Sequence, residues 1–333
     1  MRAKSDLKKK NQSKLKNLNI FVTGGGGFIG SALCKQLVDN NNVVIYDNGH
    51  RSAIKYTDLL EHENLKFVQG NIFDRKKLEQ AAKDCDIVIH LAAIAGIDSV
   101  AINPLNTMKT NLIGTYELLE SVKNMDLKRF VLFSTSEVYG SYAFRANEKN
   151  ATSQGEVGIQ RWTYSTSKIA AEHLAHCYYS QFGLPLTIIR PFNIYGRRQV
   201  GEGAIHKFIV NALKNENITV YGDGMQIRTW CYIDDIVDAV ILSLVKKEAV
   251  GNIFNIGSAS GTITVLGLAQ KIIDLSNSKS KIVFEERDFP DVELRVPDIA
   301  KAKKMLGFKP KIDLDEGIKK TIDWYMTSNG RKR

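Results

Sequence analysis

No stretch of this 333-residue sequence stays apolar for the roughly 20 residues needed to cross a bilayer. The opening MRAKSDLKKKNQSKLKN lacks the apolar segment of a secretory signal, so the expected compartment is the cytoplasm. Cysteine is scarce. Cys34, Cys85, Cys177 and Cys231 stand far apart, no CxxC pair occurs, and the six histidines form no ligand cluster with them. Neither a disulfide framework nor a metal site is expected; buried reduced thiols are. No internal repeat or low-complexity linker divides the chain.

The net charge of +10 suggests nucleic acid until its distribution is read. Residues 1–17 carry seven Lys/Arg and one Asp, and the chain ends in RKR, which leaves about +1 for the body. The basic character therefore belongs to solvated, disordered tails (1–17 and 328–333), and no nucleic-acid or membrane partner is expected. With 44% hydrophobic and 25% charged residues, the body suits one large or two modest globular domains.

Short apolar runs alternate with helical stretches from Leu18 onward. LNIFVT, NVVIYD, LKFVQG, CDIVIHLAA, KRFVLFSTS and LPLTIIRPF read as buried strands, with helices between them. The longest helices are expected at about 105–124 and from Tyr164 to about 182. This alternation predicts βαβ units and a parallel sheet, an α/β fold. After Pro191 the elements shorten between loops rich in Gly and Arg, as in a smaller region resting on the strand ends. CYIDDIVDAVILSLV and NIFNIG read as a return to the main sheet.

TGGGGFIG (Thr23–Gly30) follows a strand and opens a helix. Glycines there permit a tight turn and close approach of backbone to a pyrophosphate, which the helix N-terminus then attracts. Two frames fit, Gly25–Gly27–Gly30 and Gly24–Gly27–Gly30. Asp47 ends the second strand 20 residues after Gly27, where a carboxylate can accept ribose hydroxyls and repel a 2′-phosphate. NAD is thus expected over NADP, although nearby Arg51 could accommodate that phosphate.

YSTSK places Tyr164 and Lys168 on one helical face. A phenol ordinarily titrates near 10, too high for a base at neutral pH. A neighbouring ammonium and a positive nicotinamide ring would lower it, and such a tyrosine can take a proton from a sugar hydroxyl. Ser134, Thr135 and Ser136 form a hydroxyl cluster at the end of another strand, followed by Glu137.

With HLAA, TNLIGT, STSEVYG, RPFNIYG and RTWCYIDD in this order, the chain resembles the extended short-chain dehydrogenase/reductases that act on nucleotide sugars, over about Leu18 to Tyr325. The resemblance implies a Rossmann-type doubly wound sheet (18–190 and 230–257) and a smaller C-terminal α/β nucleotide-sugar domain (191–229 and 258–327). It implies retained NAD, oxidation at sugar C4, and a homodimer. By motif, Tyr164 is the base, Lys168 its partner, and Thr135 the contact to the reacting hydroxyl. The dinucleotide is expected on Gly24, Gly27, Phe28, Ile29, Gly30, Asp47, Asn48, Asn71, Ile72, Leu91, Ala92, Ala93 and Asn111, besides Tyr164 and Lys168. Asn71 stands where many relatives carry Asp. Asn193, Arg228 and Arg295 are expected on the substrate, the arginines as uridine or diphosphate clamps.

The resembled enzymes diverge after the C4 ketone forms. A 4,6-dehydratase needs a base at C5, and Glu137 suits one. A simple 4-epimerase usually has a small residue there. STSEVYG, with its Ser136–Glu137 pair, most resembles UDP-glucuronate decarboxylases, and NPLNTMKTNLIGT and QRWTYSTSK lean the same way. HLAAIAGIDSV looks more like the epimerase or dehydratase form, and RRQVGEGAIHKF matches no decarboxylase pattern. The expectation is an NAD-dependent UDP-glucuronate decarboxylase, with 4-epimerase or 4,6-dehydratase as alternatives. A dinucleotide-sensing module that does no chemistry is the non-enzyme alternative; such proteins generally lose the Tyr or Lys kept here.

Overall fold

A computed structural model describes residues 15–286 and 291–329. Its main sheet has seven parallel strands: β1 (Asn19–Thr23), β2 (Asn42–Asp47), β3 (Leu65–Gln69), β4 (Ile87–His90), β5 (Arg129–Phe133), β6 (Leu186–Pro191) and β7 (Asn252–Ile256). In space they run 3-2-1-4-5-6-7, so the order reverses between β1 and β4. That is the doubly wound arrangement, with one strand added at the far edge.

The sequence dictates this layering. β4 and β5 are buried along their whole length, which a strand tolerates only when helices cover both faces. Alternate side chains serve two cores. Ile20, Val22, Ile45, Ile89 and Val131 pack on one face with the helices Phe28–Leu37 and Ile233–Val245. Phe21, Tyr46, Val88, Phe130 and Leu132 pack on the other with Leu118, Leu119 and Ala175.

The helical run expected at 105–124 is Pro104–Met108 and Gly114–Val122 joined by a π-helical turn, Lys109–Ile113. The helix Thr163–Phe182 ends at Gly183 in the left-handed conformation. Beyond β6 lie short pieces. A four-stranded sheet joins Ile263–Thr264, Ile227–Arg228, Leu294–Pro297 and Tyr142–Ala146, and two-stranded pairs join Ile194–Tyr195 to Cys231–Tyr232 and Ile218–Tyr221 to Ile282–Glu285. Tyr142–Ala146 is not among the strands expected from the sequence; its partner strand is Leu294–Pro297, far along the chain.

The tail boundary needs correction. Leu15 is buried and its carbonyl accepts from Asn41 Nδ2 at 3.2 Å, while Asn17 N–H donates to Asn40 at 2.8 Å, so residues 15–17 belong to the folded body. Residues 328 and 329, expected in the C-terminal tail, end the helix Leu314–Asn329 instead, and the remaining tail residues, 1–14 and 330–333, lie outside the described residues. Cys34, Cys85 and Cys231 are buried thiols as expected, but Cys177 is exposed. Among the described residues no helix is long and apolar enough to cross a membrane, and no His/Cys/Asp/Glu group could hold a metal.

His90 closes β4 beside Thr23 of β1. Its ring sits between Thr23 Oγ1 at 2.6 Å and Thr115 Oγ1 at 2.9 Å. Burial, with the charge of Lys168 adding to it, presses its pKa to about 3. Below about pH 6.5 the unfolded chain takes a proton that the folded state refuses, so stability falls as pH drops from there toward 3. The slope from this one residue is at most about 1.4 kcal/mol per pH unit. His90→Asn should flatten the pH dependence of urea unfolding between pH 6.5 and 5; an unchanged slope would mean that the folded imidazole is charged.

Candidate active site

A cleft of about 1040 Å³ opens at the carboxyl ends of the strands, where their order reverses. Gly24, Gly27 and Gly30 line it and Gly25 does not, which selects one of the two glycine frames. Gly24 has φ +71°, and a Cβ there would meet Ala92 N at 2.6 Å. A Cβ on Gly30 would lie 2.3 Å from the Gly24 carbonyl oxygen, so that turn has no room for a side chain. Gly27 precedes the helix Phe28–Leu37, whose N-terminus has no capping side chain. The residues of its first turn, Phe28, Ile29 and Gly30, line the cleft, where uncapped helix N–H groups suit an anionic pyrophosphate.

Asp47 ends β2 and accepts from Gly26 N–H at 3.0 Å and Gly49 N–H at 2.8 Å. Each oxygen keeps a lone pair for a ribose hydroxyl. Arg51 lines the cleft too, but its guanidinium is already committed: it donates to Ala95 O at 2.9 Å, Ser99 Oγ at 2.6 Å and Glu202 Oε1 at 2.8 Å. Phe28, Ile29, Asn48, Asn71, Ile72, Leu91, Ala92 and Ala93, each expected on the dinucleotide, line the cleft. The residues therefore fit a dinucleotide. Asn111 is a correction. It does not line the cleft; it is buried, its Oδ1 accepts from Ile94 N–H at 2.8 Å, and its Nδ2 donates to Ile94 O and Ser167 Oγ, each at 3.0 Å. It shapes the loop after β4 from behind.

Phe133, Ser134, Tyr164, Lys168 and Pro191 form the other end of the cleft. The Thr135 hydroxyl lies close enough to the Tyr164 phenol to draw its pKa down. Burial and then the Glu137 charge push the phenol upward, against the Thr135 bond and the charges of Arg161 and Arg295. The lowering expected from Lys168 is not what governs this phenol: burial and Glu137 hold it above its ordinary value. Burial brings Lys168 down to about 8, with Glu172, one turn along the helix, opposing. Glu172 is held by Arg190 through bonds of 2.9 and 2.6 Å; Arg190 also donates to the Tyr139 hydroxyl, which donates to Asn255. Buried Ser136 opens the short turn Ser136–Tyr139, which Thr135 caps by accepting from Glu137 N–H at 3.2 Å.

Glu137 is where the structure adds most. Arg161 grips it with two bonds, 2.5 and 3.0 Å, and Arg295 Nη1 approaches its Oε1 at 3.4 Å. Asp291 lies 4.0 Å from Arg161 and 3.5 Å from Arg228. Burial alone would raise the Glu137 carboxyl, but Arg161, Arg295 and Arg228 hold it at about 2. Burial presses Arg295 to about 10 despite that partner. Nε of Arg161 and of Arg295 are buried without a hydrogen-bond partner among the described residues. Sequence reasoning missed Arg161, although QRWTYSTSK puts it three residues before Tyr164. Arg228 and Arg295 belong to the cluster around Glu137 and Asp291, and Arg228 also donates to the Ile227 and Val292 carbonyls. Asn193, with φ +40°, donates to Thr229 O at 2.8 Å.

The class of protein this defines is a dinucleotide-dependent enzyme of the short-chain dehydrogenase type. The family is more particular: residues 20–257 match the NAD dependent epimerase/dehydratase family, and the chain belongs to it, with NAD as cofactor. It is 36% identical to UDP-N-acetyl-alpha-D-glucosaminuronate decarboxylase of Bacillus cytotoxicus, over 92% of this chain and 97% of that one. It is also 36% identical to dTDP-D-glucose 4,6-dehydratase of Dictyostelium discoideum, over 92% of this chain and 81% of that one. Among solved structures, UDP-glucuronic acid 4-epimerase from Bacillus cereus, in complex with UDP-glucuronic acid and NAD, superposes with TM-score 0.86 at 29% identity, covering 93% and 100% of the two chains.

Removing the Glu137 charge leaves Arg161 and Arg295 confined without their shared partner. Glu137→Gln should cost about 3 kcal/mol in urea unfolding at pH 7, in the range for breaking a buried pair. The carboxyl's folded pKa lies below its unfolded value, so the difference from wild type should persist down to about pH 4.5 and shrink as pH falls toward 2. A cost below about 0.5 kcal/mol would show that the cluster does not hold the carboxylate as described.

Proposed function

We propose that this chain oxidises a UDP-linked uronate at C4 and removes its C6 carboxylate, giving a UDP-pentose or UDP-4-ketopentose. The observation that carries this reading is the Arg161–Glu137–Arg295 cluster beside Tyr164. Three arginines against two carboxylates leave one positive charge unmatched in a largely buried place. The excess positive charge favours one added carboxylate nearby through its field, although the N–H forks of Arg161 and Arg295 are already turned to Glu137 and the Gly140 carbonyl. The similarity to a glucosaminuronate decarboxylase over nearly the whole chain supports the same reading.

Tyr164 first releases its own proton to solvent, with Lys168 steadying the phenolate; the phenolate then takes the C4 hydroxyl proton and becomes a phenol again. Bound NAD supplies the hydride acceptor for the oxidation. A uronate oxidised at C4 is a β-keto acid: the C5–C6 bond breaks, carbon dioxide leaves, and the electron pair moves onto the C4 oxygen. The Thr135 and Tyr164 hydroxyls can hydrogen-bond that oxygen while it is negative. No carboxylate base is needed. A carboxyl held at about 2 is also a poor proton acceptor at C5, which counts against the 4,6-dehydratase reading. A uronate 4-epimerase is the second reading, because the same arginines would attract the same carboxylate and the Bacillus cereus enzyme shares the fold.

We also assign the glycine-cornered half to NAD, the later short strands to the nucleotide sugar, and the helical faces around exposed Leu105, Ile113 and Tyr116 to a homodimer. The cytoplasm suits a UDP-sugar enzyme. Light scattering of the purified chain tests the dimer, and a monomer at all concentrations would remove it.

Incubation with NAD and either UDP-glucuronate or UDP-N-acetylglucosaminuronate, read by mass spectrometry and NMR, should show loss of carbon dioxide. Inversion at C4 without a mass change would make the chain an epimerase. Loss of water from a UDP- or dTDP-hexose, with the uronates untouched, would overturn the uronate reading. Tyr164→Phe should lower turnover by roughly 10²–10⁴-fold while NAD still binds.

A further inference from the structure

The segment GRRQVGEG (196–203) crosses from the strand Ile194–Tyr195 to the helix Ala204–Lys214, and its Gln199, Val200 and Glu202 line the cofactor cleft. Its polar contacts fall into two groups. At its start, Arg197 Nη2 donates to Asp234 Oδ1 at 2.8 Å, Arg198 Nε donates to Tyr56 O at 3.3 Å, and the Gln199 carbonyl accepts from the Tyr325 hydroxyl at 2.7 Å. At its end, Glu202 reaches two other loops of the cleft. Oε1 accepts from Arg51 Nη2 at 2.8 Å, Ser99 N–H at 3.1 Å and Ser99 Oγ at 2.5 Å; Oε2 accepts from Asp98 N–H at 2.7 Å. Lys207 then pairs with Asp98 at 2.8 Å.

The backbone is shaped for this contact. Gly96 has φ +104°, and a Cβ on it would lie 2.5 Å from the Glu202 carboxylate. Gly201 has φ +83°, and a Cβ there would come 3.1 Å from the Arg51 guanidinium. One carboxylate, only 17% exposed, thus ties together the loop after β2, the loop after β4 and the segment itself. All three line the cleft whose glycine corner and Asp47 fit the dinucleotide.

We propose that Glu202 is a positioning residue that latches segment 196–203 across the cofactor, so that NAD leaves only when the latch opens. This rests on the NAD reading of the cleft and adds to it. The Tyr325 and Arg198 contacts are the fixed end of the strap, and the Glu202 contacts are the end that parts. The latch takes both carboxylate oxygens at once, so it opens as a unit rather than bond by bond. In a cycle that returns the hydride to its own product, slow cofactor exchange carries no penalty. Any turnover ending in a ketopentose would leave reduced cofactor behind, and latch opening would then set the pace.

The test is release of bound NAD from the full chain, followed by stopped-flow dilution into a trapping dehydrogenase. Glu202→Gln keeps the shape of the side chain but loses its charge, and should speed release at least tenfold. Arg51→Met should do the same, and the double variant should release no faster than the quicker single one, because both break one unit. Ser99→Ala, which removes a single hydroxyl contact, should give a smaller rise of about threefold. Melting of the cofactor-free variants within about 2 °C of wild type would separate a latch from general destabilisation. Release unchanged within twofold in Glu202→Gln and Arg51→Met, or fully additive effects in the double variant, would overturn the latch. A wild-type chain that binds no NAD would overturn the cofactor reading and the latch with it.

Discussion

A parallel sheet covered on both faces has nowhere to keep a polar side chain except at the ends of its strands. The rest of this molecule follows from that constraint. β4 and β5 are buried throughout, so Thr23, Asp47, His90 and Ser134 collect at or just past the carboxyl ends of their strands. There the order of strands reverses, neighbouring connections part to opposite faces, and a cleft must form. Glycine is required at its corner because the first turn runs against the backbone of the loop after β4.

The reacting end is governed by charge rather than by shape. Lys168, Glu172 and Arg190 form one line of partners behind Tyr164, and Arg161, Glu137 and Arg295 form another beside it. The two lines push in different directions. Burial and Glu137 push the phenol above its ordinary value, while the arginines hold Glu137 ionised at any ordinary pH. A carboxylate so firmly paired is better suited to setting the field at C5 and C6 than to moving protons.

How much of this could be read in advance depended on distance along the chain. The glycine turn, Asp47 and the Tyr164–Lys168 pair each lie within one βα unit or one helical turn, and local rules locate them. The choice between the two glycine frames depended on which glycines face the cleft, Gly24 in the turn after β1 and not Gly25, and spacing cannot express that. Glu137 was legible as an oddity but not as an ion pair, because Arg295 arrives from the far end of the chain on the strand Leu294–Pro297. The strand Tyr142–Ala146 was hidden for the same reason, since that distant strand is its partner. Asn111 sits in a motif that suggests ligand contact, yet its hydrogen bonds turn inward to Ile94 and Ser167.

The π-helical turn that carries Asn111 has a consequence for the history of the chain. One residue more than an α-helix needs is accommodated between Lys109 and Ile113. Downstream of it Gly114 packs against Ile72 and Thr115 bonds His90. Losing a single residue from the turn would restore plain α-helix and leave both in place, whereas losing one from the α-helical stretch before it would turn the residues on either side about 100° out of register. The turn is therefore a place where this helical run can change its length by one residue at the expense only of where Asn111 points, now toward Ile94 and Ser167.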